Sequence, residues 1–176
     1  TISGNNIQSN DYIGIYLLSS SSNNTISGNN IQSNNDAGIA LESSSNNNTI
    51  SGNKIQSSVS GILLSSSNNA IFGNNIQSTR FGIALSGSIN SILSGNTIYN
   101  ISSGNYFDGI EIKDNSDRNI ISSNLLFDSS GTDPTGYPIK ISDASSDNNY
   151  LVGNFVSSWL AGSNWINDSG TNNQYT

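Results

Sequence analysis

The chain has 176 residues, with 12 Asp and Glu against 5 Lys and Arg for a net charge of −7, and no His, Cys or Met. That composition excludes a disulfide framework, thiolate- or imidazole-ligated zinc and copper and a His-based catalytic triad within the chain. The acidic balance, with no basic stripe, argues against a nucleic-acid partner, and no apolar run reaches the length of a membrane span.

The chain opens on Thr-Ile-Ser-Gly-Asn-Asn-Ile at Thr1–Ile7 and keeps rewriting it. The heptad returns at Thr25–Ile31, at Thr49–Ile55 with Lys54 in sixth place, and at Ala70–Ile76 with Phe72 in third. Looser copies stand at Ile92–Ile98, Ile120–Leu126 and Tyr150–Val156. The Asn after the turn runs through all seven copies: Asn5, Asn29, Asn53, Asn74, Asn96, Asn124 and Asn154, in steps of 24, 24, 21, 22, 28 and 30 residues. A period of this size marks a solenoid.

A second apolar motif follows each turn: Gly14-Ile15-Tyr16-Leu17, then its counterparts at Gly38, Gly61, Gly82 and Gly109, and Pro138-Ile139-Lys140-Ile141. Apolar and variable residues alternate within it, which is strand periodicity, and no window has the spacing of an amphipathic helix. The remainder is Ser, Asn and Gly, which form turns. One period therefore reads as three short strands, Gly-Ile-x-Leu, Thr-Ile-Ser and Asn-Ile-Gln, with about four inward aliphatics. Ile39, Leu41, Ile50 and Ile55 make one such set.

Three short strands close a core only by stacking on neighbours about 4.8 Å away. The expected fold is all-β: a right-handed, single-stranded parallel β-helix, a solenoid of about seven coils, with residues 1–176 as one domain. The Gly-Asn corner is expected to need positive φ, which both residues tolerate. Stacked Asn side chains then hydrogen-bond from coil to coil, and Asn24, Asn48, Asn69, Asn119 and Asn149 make a second ladder. The chain begins and ends inside a repeat, so it is expected to be part of a longer extracellular protein with flanking domains.

Gly-Asn-x-Ile followed by Gly-Ile-x-Leu resembles the parallel β-helix repeat of pectate-lyase-like proteins, most closely its NosD-type, archaeal surface-protein and disaggregatase-like forms. The resemblance covers nearly the whole chain. It implies the fold, an extracellular or cell-surface setting and a glycan bound along the strand face beside the long turns. It does not select among lyases, hydrolases, epimerases, adhesins and spikes, because one scaffold carries many chemistries.

Coils before Ile98 are bland, with Asp11, Asp36, Glu42, Lys54 and Arg80 as their charges. Beyond Ile98 the third turns lengthen to Tyr99–Asp108 and Phe127–Tyr137, and eight of the 12 acids fall within 108–147. Long loops on a rigid scaffold carry function, although drift on a surface gives the same pattern. The candidate catalytic residues are Asp108, Glu111, Lys140 and Asp133, and the candidate substrate-binding residues are Arg80, Tyr106, Lys113 and Tyr137.

Aligning Ile110-Glu111-Ile112 over Ile139-Lys140-Ile141 puts Glu111 beside Lys140, as a cross-strand ion pair or an acid/base pair. The same register stacks Asp114 on Asp143. These like charges splay into water, share a calcium ion, or raise one pKa. Trp159 and Trp165 cover a core end or stack on sugars.

Beside a glycan-binding module that would use Trp159, Trp165 or the loop aromatics without chemistry, two functions compete. One is a polysaccharide-processing domain, with the glycan in a groove beside the long turns of coils 4–6. A hydrolase would use two carboxylates from Asp108, Glu111, Asp128 and Asp133; a lyase would use a base with Lys140, Lys113, Arg80 or calcium to neutralise a uronate. The other is a rigid surface stalk or adhesin without catalysis.

Overall fold

A three-residue strand with one inward aliphatic cannot bury that aliphatic alone, so each Thr-Ile-Ser, Asn-Ile-Gln and Gly-Ile-x-Leu segment pairs with its copies in the coils on either side. In the computed structural model this gives three parallel sheets, one of eight strands and two of seven, each built from every third strand of the chain. The structure describes residues 1–56, 59–77, 79–99, 108–127, 136–157 and 166–176. Seven corner asparagines bound six complete turns of the solenoid. Among the described residues no helix is long and apolar enough to cross a membrane.

The register follows the repeat. Ile26, Ile50, Ile71, Leu93, Ile121 and Leu151 stack along the Thr-Ile-Ser sheet. Ile31, Ile55, Ile76, Ile98, Leu126 and Val156 stack along the Asn-Ile-Gln sheet. Ile39 and Leu41 with their equivalents complete the third wall. Nearly all are fully buried in one continuous core. Full burial of such a side chain is worth roughly 1.5–3 kcal/mol, so four per coil support a chain poor in hydrophobic residues.

Each corner asparagine after Asn5 accepts twice. Asn53 Oδ1 takes the Asn29 backbone N–H (3.0 Å) and the Asn29 Nδ2 (2.9 Å), while Asn53 Nδ2 donates to Asn74 Oδ1 and Ile26 O, both at 3.0 Å. The pattern repeats from Asn5 to Asn154, so these buried amides have their polar groups satisfied. The second ladder also forms, through Asn24, Asn48, Asn69, Asn119 and Asn149, with Ser91 as its one non-Asn internal rung.

The backbone corrects one expectation. Positive φ falls on the residue before each rung: Gly28, Gly52 and Gly73 at the first corner, with Ser123 taking the place of Gly, and Asn23, Asn47, Asn68 and Arg118 at the second. The rung asparagines are not among the positive-φ residues. Their identity is set by hydrogen bonding, and the handedness of the corner is supplied by the residue before them.

Glycine at the start of the Gly-Ile-x-Leu strands has a different cause. A Cβ on Gly38 would stand 2.4 Å from Ile55 Cγ2 and 2.8 Å from the Gly61 carbonyl oxygen. The third sheet thus passes close to its neighbours at this row, which ends at Gly109 and Pro138.

Candidate functional site

The outer face of the third sheet carries a central row of Tyr16, Ala40, Leu63, Ala84, Glu111, Lys140 and Asn167 in register. The row is uncharged up to Ala84, charged at Glu111 and Lys140, and uncharged again at Asn167. Ala40 and Ala84 are buried although they alternate with the core positions, so small residues on this face sit below their surroundings.

Asp108 begins the strand Asp108–Lys113, which lies beside Phe81–Ser86 on one side and Ile139–Ile141 on the other. Its side chain is only 1% exposed. Oδ1 accepts the Tyr137 backbone N–H at 2.8 Å, and Oδ2 lies 3.4 Å from Lys140 Nζ. Desolvation is the largest influence on its carboxyl and drives the pKa above the usual carboxylate range. The Tyr137 N–H and the Lys140 charge oppose that rise, and the negative charge of Glu111 adds to it. The two carboxyl groups are therefore electrostatic neighbours.

Glu111 and Lys140 are strand partners, as the alignment requires, but they are not the ion pair. Glu111 Oε2 lies 3.2 Å from Lys113 Nζ, two residues along its own strand, and Lys140 reaches to Asp108. Ser142 Oγ donates to Glu111 Oε1 at 3.4 Å. Residues i and i+2 share a sheet face, which brings Lys113 to Glu111, while Asp108 stands at the start of the strand, three residues before Glu111, within reach of the long Lys140 side chain. Two acid–base pairs thus stand on adjoining strands, each with a buried acid and a more exposed ammonium.

Arg80 precedes Phe81, the strand partner of Asp108, and its guanidinium lies 5.2 Å from the Phe81 ring centroid. Tyr137 meets Asp108 through its backbone rather than its ring. Asp133 and Tyr106 lie outside the described residues, as do Asp128, Phe107, Trp159 and Trp165. The structure therefore brings together Asp108, Glu111, Lys113, Lys140 and the Tyr137 backbone, with Arg80 beside them one coil earlier.

Asp114 and Asp143 do stack, but with donors between them. The Asp114 backbone N–H donates to Asp143 Oδ2, and Asp114 Oδ2 accepts from Ser86 Oγ at 2.7 Å. Ser145 donates to Asp143 Oδ1 from its N–H (2.9 Å) and its hydroxyl (2.7 Å). For Asp143 desolvation pulls upward, yet these bonds together outweigh it and hold the pKa below the usual range. Among the described residues no three acidic side chains converge as a metal site.

Sequence reasoning missed Ser142 and Phe81 as neighbours of the charged pairs. Both were readable from the stacking register, Ser142 from its place after Ile141 and Phe81 from its row with Asp108. It also missed the Tyr99–Phe127 ring stack, 5.1 Å between centroids at 11°, which replaces the row of Gln32, Gln56 and Gln77. An apolar recess of about 270 Å³, lined by Ile139, Leu151, Val156, Ile166 and Tyr175 among others, lies at the far end of the core and not on the charged face.

The family described as right-handed beta helix region matches residues 1–156. No curated protein sequence matches the chain. Solved structures do. The periplasmic alginate epimerase AlgG, in a double-mutant form, aligns with a TM-score of 0.73 at 23% identity, over 88% of this chain and 39% of that one. The A-module of an Azotobacter vinelandii mannuronan C-5 epimerase aligns at 0.77 and 14%, over 99% of this chain and 53% of that one. An alginate lyase from Paenibacillus aligns at 0.65 and 17%, over 97% of this chain and 76% of that one. At these identities the likeness is one of fold, and this chain spans about two fifths of the AlgG chain.

Proposed function

This chain belongs to the right-handed β-helix family, and from that premise we propose that it binds and processes a polysaccharide on the outer face of its third sheet. The observation that carries the reading is the double pair on that face, Asp108 with Lys140 and Glu111 with Lys113. It stands where the sequence of both adjacent third turns lengthens. Fold neighbours named as alginate epimerases and an alginate lyase support a glycan as the ligand class.

The chemistry proposed is acid/base cleavage. Two carboxyl groups whose surroundings differ take different roles. Asp108, desolvated and raised in pKa, is suited to hold a proton and give it to a leaving oxygen. Glu111, as the carboxylate partner of Lys113, is suited to act as base or nucleophile. Lys113 and Lys140 hold the two acids in place and present the more exposed charges to the ligand. Arg80 and Tyr137 border the site, and Asp133 and Tyr106 belong to the proposed binding and catalytic set from the long turns. A setting outside the cytoplasm, at the cell surface or beyond it, is part of the same proposal.

The test is to assay the chain and its Glu111→Gln and Asp108→Asn variants on a panel of extracellular polysaccharides, following chain length and new reducing or unsaturated ends. Turnover by the parent, lost in Glu111→Gln, supports the reading. Binding without turnover leaves a glycan-binding module. Neither binding nor turnover favours the rigid stalk, which the regular, sparsely charged early coils would serve well.

A further inference from the structure

We propose that the ligand of this face is an uncharged glycan rather than a polyuronate; the inference rests on the site reading above and narrows it. The cations of the chain decide between the two. The chain holds five Lys and Arg, and all five are described. Lys54 lies on the Asn-Ile-Gln sheet, and Arg118 is at the opposite corner, 4.0 Å from Asp117 and bonded to Asn90. Lys113 and Lys140 face the site but are held by Glu111 and Asp108 at 3.2 Å and 3.4 Å. Arg80 is the remaining cation near the site, with its guanidinium over Phe81.

A polyuronate presents a carboxylate on every sugar. Beyond what Arg80 can meet, a uronate carboxylate brought to Lys113 or Lys140 adds a second negative charge against an ammonium already neutralised by Glu111 or Asp108, and a lysine that turns from its partner strands a carboxylate in a residue only 7% or 1% exposed. Breaking one side of such a pair is costly because the remaining charge is left uncompensated. The long turns bring no relief. Residues 100–107 contain no charge, and residues 128–135 contain Asp128, Asp133 and no base. Asp114 and Asp143 lie just beyond the strands that carry the pairs, and the whole chain is at −7. The potential met by an approaching polyanion is repulsive over about a Debye length, roughly 8 Å at physiological salt.

An uncharged glycan makes no such demand. Its oxygens accept from the exposed ammonium groups and leave both ion pairs in place. Glu111 Oε2 has the Lys113 ion pair but no hydrogen bond among the described residues and is shut off from solvent, so a ligand meets this pair through the ammonium. Lys113 and Lys140, exposed at 37% and 26% of their side chains, have N–H groups left to donate to ring and hydroxyl oxygens.

The experiment is a binding titration of the full chain against β-glucan, mannan and galactan on one side and alginate and polygalacturonate on the other. Each is measured at about 20 mM and about 500 mM NaCl, with and without 2 mM calcium, where roughly a fivefold fall in Debye length separates the salt conditions. The expected result is binding of at least one uncharged glycan with an affinity that changes less than about twofold with salt, and at least tenfold weaker binding of both polyuronates. Preferential binding of a polyuronate, weakened tenfold or more by salt, overturns the inference while keeping the glycan site. Polyuronate binding that needs calcium overturns it as well, by supplying the missing cation. No binding to any of the five polymers overturns the inference together with the site reading.

Discussion

Lys140 Nζ stands 3.4 Å from Asp108 Oδ2, although the residue across the strand from Lys140 is Glu111. This diagonal contact gives the buried Asp108 side chain its cation. Lys140→Met should therefore reduce turnover and also lower stability, by about 1–3 kcal/mol at neutral pH. The sign with pH is fixed. Asp108 already has a folded pKa above its unfolded value, so its contribution is fully present below the unfolded pKa and is lost as pH rises through the folded one. Removing Lys140 pushes the folded value higher. The deficit of the variant should grow from pH 4 to pH 8, as read by thermal melts at both.

Asp108→Asn separates function from stability. The amide oxygen can still accept the Tyr137 N–H, and the desolvated charge is gone. Stability at pH 7 should hold or rise by up to about 1 kcal/mol, and its pH dependence above pH 4 should flatten. Turnover should fall by a factor on the order of 10²–10⁴, the usual worth of a positioned acid. A variant that loses both activity and fold would mark Asp108 as structural.

Three substitutions at the corners should rank by mechanism. Gly52→Ala forces an Ala to φ +61 into open space and should cost about 1–2 kcal/mol. Asn53→Leu takes the shared acceptor from the Asn29 N–H and Nδ2, for about 2–4 kcal/mol in buried unsatisfied groups. Gly38→Ala drives a methyl into Ile55 and the Gly61 carbonyl, and should cost roughly 3 kcal/mol or more, at the upper end of overpacking. Denaturant titration gives all three, and an unchanged Asn53→Leu midpoint would contradict the ladder's role.

Calcium between Asp114 and Asp143 is a proposal with a direct measurement. An ion bound to the native state alone raises the melting temperature by mass action. Chelation should then lower it, and only slightly, because Ser86, Ser145 and the Asp114 N–H already serve these carboxylates. A melting curve that is identical with chelator removes calcium from this pair.

The pairing register was legible because the repeat writes each rung in the same words: Ile26, Ile50 and Ile71 could only stack on one another without exchanging faces. Asn24 and Asn48 were legible for the same reason. The site was legible only to the level of the backbone. Stacking put Glu111 beside Lys140, but the choice of Asp108 for Lys140 and Lys113 for Glu111 depends on side-chain reach and burial, which a period does not encode. The positive φ at Gly52 rather than Asn53 was hidden because the two residues always occur together in the tight repeats. Ser123 in place of Gly, before Asn124, was the one copy that separated them.

The two ladders have one more effect. Asn24 and Asn29, Asn48 and Asn53, Asn69 and Asn74, Asn119 and Asn124, and Asn149 and Asn154 are always five residues apart, while the whole period ranges from 21 to 30. The amide-bonded corners therefore work as a fixed gauge, and every insertion is absorbed on the remaining part of the coil, mostly before the Gly-Ile-x-Leu strand. A foreign segment grafted there changes the length of a coil without moving either row of rungs. Variation in coil length is thus confined to one side of the frame, and the two rows of rungs keep their spacing whatever that side carries.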